Sequence, residues 1–189
     1  MSIVIENLKE ALNGESNAEK KYELYGKQAQ KENLNEIAHL FRAISFAESI
    51  HIKNHKRALS VIKDAEIDLN NFVNVNESDL VDKLGDTKAN LEDSIEGETY
   101  ETKKMYKKFV KNANKEDLTV AELSFSLARD AEKEHANLFS KYLKKLEKDG
   151  EFPSTDIYVC KICGNVELGE PPETCPVCDH GKQFYEKID

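Results

Sequence analysis

Glu48-Ser49-Ile50-His51 and Glu132-Lys133-Glu134-His135 are two copies of one pattern, 84 residues apart. An alanine precedes each, Ala47 and Ala131, and each follows a Gly-Glu pair at a similar distance: Gly14-Glu15 in the first half and Gly97-Glu98 in the second, 83 residues apart. Residues three apart on a helix point the same way, so each motif presents a carboxylate and an imidazole side by side. A duplicated pattern of this kind reads as two halves of one arrangement.

The chain around these motifs is built for helices. No proline occurs before Pro153, and glycine is sparse over the same stretch. Runs rich in Ala, Leu, Glu and Lys without breakers predict four helices, over about residues 4–32, 34–62, 78–111 and 119–148. Their apolar stripes carry the acids and histidines. Leu8, Leu12, Glu15 and Tyr22 share the first, and Phe41, Ile44, Glu48, His51 and His55 the second. Leu91, Ile95, Glu98, Glu101, Met105 and Phe109 share the third, and Phe125, Ala128, Glu132, His135 and Phe139 the fourth. A solvated charge belongs on the opposite face. Burying a carboxylate costs several kcal/mol unless it is paired or bound to metal.

Two helices each giving Glu-x-x-His, and two more each giving Glu, form the ligand set of di-iron carboxylate bundles. The long connection over about residues 63–77, between two helical hairpins, is the ferritin-like arrangement. A third Glu-x-x-His, Glu36-Ile37-Ala38-His39, has no counterpart in the second half. Glu36 lies 12 residues before Glu48, about 120° around the helix, so it faces elsewhere. His55, one turn after His51, reads first as a packing residue. Of the tyrosines near the stripe, Tyr22 and Tyr106 are candidates to donate hydrogen bonds to carboxylate ligands.

From Gly150 the composition changes. A short linker leads into Cys160-x2-Cys163-x11-Cys175-x2-Cys178, with Pro171-Pro172 between the pairs and β-prone pieces at Ile157-Tyr158-Val159 and Phe184-Tyr185. About 35 residues cannot build an adequate apolar core, so the tail needs a metal to fold. The spacing specifies a tetrahedral four-thiolate site, with iron or zinc both compatible. The fold expected is therefore mainly α: a ferritin-like four-helix bundle over 1–149, followed by a small metal-bound β domain over 150–189.

A net charge of -9, with no basic block interleaved with aromatics, argues against nucleic acid or an anionic membrane surface as the main partner. No apolar run approaches the roughly 18 residues of a membrane helix, and the N-terminus does not read as a signal peptide. A cytoplasmic location is expected. All four cysteines lie in the tail, which fits a metal site better than a disulfide framework.

The chain as a whole resembles the rubrerythrins, a di-iron bundle followed by a rubredoxin-like domain. The resemblance is carried by Gly14-Glu15-Ser16, Ala47-Glu48-Ser49-Ile50-His51, Gly97-Glu98-Thr99-Tyr100-Glu101 with Met105-Tyr106, Ala131-Glu132-Lys133-Glu134-His135, Cys160-Lys161-Ile162-Cys163-Gly164 and Cys175-Pro176-Val177-Cys178. It implies two non-haem irons held by Glu15, Glu48, His51, Glu98, Glu101, Glu132 and His135, and one iron on Cys160, Cys163, Cys175 and Cys178. It implies reduction of hydrogen peroxide to water in oxidative-stress defence, with Glu101 replacing His51 on one iron when the site is oxidised. It also implies a homodimer and an electron donor such as rubredoxin or an NAD(P)H-dependent reductase. An oxygen reductase or ferroxidase of the same fold, or a zinc-filled structural protein, are the competing readings. Asp179 follows Cys178 where the family usually has glycine, Lys107 stands where a proline commonly follows the Met-Tyr pair, and Gly181 follows His180 where relatives often have proline. None of these removes a ligand.

Overall fold

The computed structural model describes residues 2–148 and 150–189; Met1 and Asp149, the latter at the expected domain boundary, lie outside the description. Helices α1 (Ile3–Lys31) and α2 (Asn35–Lys63) form the first hairpin. A crossover containing the short α3 (Glu77–Asp82) leads to the second hairpin, made by α4 (Thr87–Tyr100), a π-helical turn (Glu101–Met105), α5 (Tyr106–Lys115) and α6 (Thr119–Leu146). Among the described residues, no helix is long and apolar enough to cross a membrane.

Three of these helices end without glycine. Asn33, Asp64 and Asp117 take left-handed backbone, with φ of 63°, 48° and 53°. Each lets the next amide reach back five residues, Leu34 N to Ala29 O, Ala65 N to Ser60 O and Leu118 N to Ala113 O, at 2.9, 3.2 and 3.0 Å. Asn and Asp are the non-glycine residues that tolerate this conformation best, and the bonds satisfy carbonyls the helix ends would orphan.

The single third helix expected over 78–111 is instead interrupted and longer. The chain leaves α3 at Lys83 and restarts at Asp86, whose carboxylate caps α4 by accepting from Ala89 N at 2.8 Å. The Asn90 side chain bridges the break, accepting from Gly85 N at 2.9 Å and donating to Gly85 O at 3.1 Å. The second departure is the π turn. It takes up one extra residue, so that Tyr106 is fully buried and continues inward through Phe109 and Ala113.

The bundle core is two apolar plugs. One holds Tyr22, Phe41, Ile44, Leu91 and Phe139; the other holds Leu8, Leu12, Leu59, Phe109 and Phe125. Along every long helix, Glu15, Glu48, His51, Glu98, Glu132 and His135 fall between the segments that build the plugs. The C-terminal module is a three-stranded antiparallel sheet of β1 (Ile157–Cys160), β2 (Val166–Leu168) and β3 (Tyr185–Ile188), in the order β2-β1-β3. Ile157, Val159 and Val166 from this sheet join the first plug, so the module packs onto the bundle by its apolar face.

Replacing the capping Asp86 (Asp86→Ala) is expected to lower stability by about 1 kcal/mol. A shift in the urea midpoint at unchanged slope checks it.

Candidate metal centre

Six side chains meet in the layer between the plugs, all of them buried: Glu15, Glu48, His51, Glu98, Glu132 and His135. They form two interlocking groups, Glu15-Glu48-His51-Glu132 and Glu48-Glu98-Glu132-His135, in each of which one ligand-type atom per residue lies within 4.8 Å of the others. Glu48 and Glu132 belong to both. Nδ1 of His51 is 3.0 Å from Glu48 Oε2 and 2.7 Å from Glu132 Oε1, and Nδ1 of His135 is 2.7 Å from Glu132 Oε2. The two rings stack with centroids 5.8 Å apart.

The outer nitrogens of both rings point away from the acids. Nε2 of His51 lies 2.9 Å from the Cys163 carbonyl, and Nε2 of His135 lies 3.0 Å from the Gly164 carbonyl. A carbonyl only accepts, so each Nε2 carries a proton, and Nδ1 is the nitrogen that faces the carboxylates and can offer its lone pair to a metal. That is the tautomer a metal ligand needs.

Phenols support the same layer. Tyr22 donates to Glu98 Oε1 and Tyr106 donates to Glu15 Oε1. Burial, followed by the charges of Glu98 and of Glu15 respectively, holds both phenols well above their ordinary pKa, so both remain donors. Behind Tyr106, His55 bridges its hydroxyl at 2.9 Å and Ser124 Oγ at 2.8 Å. Tyr25 instead donates to Asp93 at 2.9 Å, and Tyr100 is exposed on the outside.

Burial, reinforced by the charge of Glu132, pushes the carboxyls of Glu48 and Glu98 well above the usual range. For Glu15 burial acts upward too, but hydrogen bonds and charge from His51 and His55 outweigh it and the pKa falls. Burial would lower His51, yet the charge of Glu132 and contacts to three carboxylates raise it, whereas burial dominates at His135 and lowers it. Glu15 Oε2, Glu48 Oε1 and Glu98 Oε2 have no hydrogen-bond partner among the described residues, and neither has Glu132 Oε1, although it lies 2.7 Å from His51 Nδ1. Orphaned carboxylate oxygens converging in a dry layer are what a pair of cations would satisfy, so the residues present fit a dinuclear metal site.

Glu101 stands apart. It opens the π turn, is half-buried, lies in neither group, and its Oε1 comes within 3.9 Å of where a Cβ on Gly14 would sit. Burial and then the charge of Glu15 raise its pKa well above the carboxylate range. The third motif turns outward to the module: Glu36 Oε2 accepts from Thr155 N at 3.3 Å and His39 Nε2 lies 2.8 Å from Ile188 O.

The four cysteines form the second centre. Cys160 Sγ and Cys178 Sγ are 3.7 Å apart and Cys163 Sγ and Cys175 Sγ 3.6 Å, none in a disulfide. Sulfurs bound tetrahedrally at about 2.3 Å sit about 3.8 Å apart, so the cage suits one metal ion. Asp179 keeps the turn usually made by glycine, with φ of 58° and its amide donating to Cys175 O at 3.0 Å. Asn54 is a contact the sequence did not single out; its side chain donates to Ile162 O at 2.8 Å.

A ferritin-like bundle with a twinned carboxylate–imidazole site, facing a four-cysteine module, defines a class of two-centre metalloproteins. Residues 6–149 match the rubrerythrin family profile and residues 158–186 that of the rubrerythrin rubredoxin-like domain. The chain is 35% identical to a putative rubrerythrin of Methanocaldococcus jannaschii, over 98% of this chain and 93% of that one. It is 32% identical to rubrerythrin-2 of Clostridium acetobutylicum, over 95% and 93%. A solved structure of nigerythrin in a mixed-valence state superposes with a TM-score of 0.86 at 29% identity, covering 98% of this chain and 86% of that one. The chain belongs to the rubrerythrin family, whose members bind iron, and its cofactors are a di-iron carboxylate site and a four-cysteine iron.

Without metal, the raised groups Glu48, Glu98, Glu101 and His51 favour their protonated forms in the folded chain, so their contribution is lost as pH rises through their folded values. His55 and His135 are lowered and oppose this only below the ordinary histidine value of 6.5. The metal-free protein is therefore expected to lose thermal stability as pH rises above the ordinary histidine value of 6.5. Ferrous ion should remove the loss, and calorimetry with and without metal checks both.

Proposed function

We propose that this protein reduces hydrogen peroxide to water at the bundle site, with electrons arriving from the four-cysteine module. The observation that carries the reading is that both imidazoles of the carboxylate site hydrogen-bond the backbone of the cysteine knuckle, so one centre abuts the other. Glu15, Glu48, His51, Glu98, Glu132 and His135 would hold two irons, Glu48 and Glu132 being common to both candidate ligand groups. With iron bound, the reduced pair supplies the two electrons that, with two protons, convert one peroxide to two waters.

The chain's own residues then do three things. The knuckle carbonyls hold the His51 and His135 rings in the ligating tautomer. Tyr22 and Tyr106 hold Glu98 and Glu15 in place by donating to them. Glu101, whose carboxyl is pushed toward its protonated form by burial and by the charge of Glu15, is placed to release a proton toward the site. Once deprotonated, Glu101 would be the carboxylate available to replace His51 among the ligands of an oxidised iron pair, and it would bring negative charge that a neutral imidazole lacks.

Residues 1–149 and 150–189 act in this reading as a catalytic and an electron-entry unit. Cys178, the cysteine of the four that is not fully buried, is the natural point of entry for an external donor, a rubredoxin or an NAD(P)H-dependent reductase. The seating of the module on its own bundle supports a complete path within one chain, whether or not the protein pairs as a homodimer in the cytoplasm.

Iron-loaded protein, reduced anaerobically, should be reoxidised by peroxide far faster than by dioxygen in stopped-flow absorbance. Glu101→Gln should keep the spectrum of the four-cysteine iron, alter that of the oxidised iron pair and lose about 100-fold in peroxide turnover. Fast consumption of dioxygen by a protein indifferent to peroxide would establish the oxygen reductase or ferroxidase reading instead.

A further inference from the structure

Three successive carbonyls of the cysteine knuckle are held by side chains of the bundle. Ile162 O accepts from Asn54, Cys163 O from His51 and Gly164 O from His135, at 2.8, 2.9 and 3.0 Å. Two of the donors belong to the carboxylate site. The third, Asn54, stands one turn beyond His51 on α2 and is bonded to the knuckle alone.

Gly164 adds a constraint of space. It has left-handed backbone, φ of 82°, and a Cβ there would lie 2.5 Å from His51 Nε2, 3.0 Å from His51 Cδ2 and 3.2 Å from Ala47 O. No side chain fits between knuckle and bundle at this point. To reach ordinary van der Waals separation the knuckle would have to retreat by about 1 Å. Gly169, with a φ of 81°, has the same backbone but would place its Cβ where nothing lies within 4 Å. The pair separates the two requirements on a glycine: both need the conformation, and only Gly164 needs the emptiness.

We infer that Asn54 and Gly164 are positioning residues that seat the four-cysteine knuckle on His51 and His135, and that the closeness of this seat sets how fast electrons pass between the centres. The inference rests on reading the two centres as redox partners. In each transfer one electron leaves the sulfur-bound iron, which goes from ferrous to ferric, and reduces one iron of the pair from ferric to ferrous. An external one-electron donor resets the first. Tunnelling falls steeply with added gap, and misplacement by about 1 Å elsewhere in enzymes costs on the order of 100-fold.

The test compares iron-loaded wild type with Gly164→Ala, Asn54→Leu and the control Gly169→Ala. In all four the visible spectrum and midpoint potential of the sulfur-bound iron should be the same, because every cysteine is retained. Amide hydrogen exchange in the resting protein should rise across residues 160–166 in Gly164→Ala and Asn54→Leu, and not in Gly169→Ala. After a single addition of oxidant to fully reduced protein, reoxidation of the sulfur-bound iron should slow by on the order of 100-fold in Gly164→Ala, by about tenfold in Asn54→Leu, and not at all in the control. Loosened exchange with unchanged transfer, or unchanged exchange in both variants, would overturn the assignment. Running the oxidation with peroxide and separately with dioxygen keeps the two readings apart. A wild type that ignores peroxide refutes the peroxide reading, whereas variants that match wild type under whichever oxidant works refute the seat.

Discussion

Four carboxylates and two imidazoles share a dry layer between two apolar plugs, and the rest of the molecule answers to that arrangement. Each buried anion carries a desolvation penalty of several kcal/mol, and neighbouring acids add mutual repulsion to it. Protein hydrogen bonds meet only part of the demand: the phenols of Tyr22 and Tyr106 satisfy one oxygen each on Glu98 and Glu15, and other oxygens are left unmatched. The residual need is for positive charge at the centre of the layer. Aromatic plugs such as Phe41 against Phe139 and Phe109 against Phe125, with ring centroids 5.2 and 5.3 Å apart, keep water from meeting that need cheaply. Bound cations would therefore add stability to this core, most of all at pH values where the acids would otherwise ionise unpaired.

The same layer governs where the small module sits. A ring nitrogen that faces a carboxylate must have its other nitrogen satisfied, and the knuckle's carbonyls do this for both histidines. Elsewhere the module is fastened by ordinary means: the apolar face of its sheet joins the first plug, and Glu36 and His39 bond its linker and its last strand. The third Glu-x-x-His, chemically similar to the other two, thus serves as a mooring at the end of the bundle away from the acids.

Much of this was legible in the sequence because it is local and periodic. Glu-x-x-His at matched positions, acids on apolar stripes and a breaker-free chain point to the bundle, and the cysteine spacing points to its appendage. What stayed hidden depends on non-local contacts or on quiet exceptions to periodicity. The break at 83–86 is carried by an Asp cap and an Asn bridge around Gly85, residues common on any helix surface. The helix ends at Asn33, Asp64 and Asp117 lack the glycine that usually marks them. A stripe counted at 3.6 residues per turn leads from Glu101 to Met105, whereas the added residue in the π turn also brings Tyr106 fully inside. Asn54 could not be found by any pattern, since its partner is a backbone carbonyl 108 positions away.

That wide turn gives the site a genetic property. It amounts to one residue inserted into an otherwise regular helix, with Glu101 at its mouth and Tyr106 just past its exit. Deleting a single codon between them would close the helix into ordinary α geometry and swing the following segment through about 100°. The phenol would leave Glu15 while every side chain of the two candidate ligand groups stayed encoded. Acquisition or loss of one triplet is thus enough to convert between two versions of this chamber.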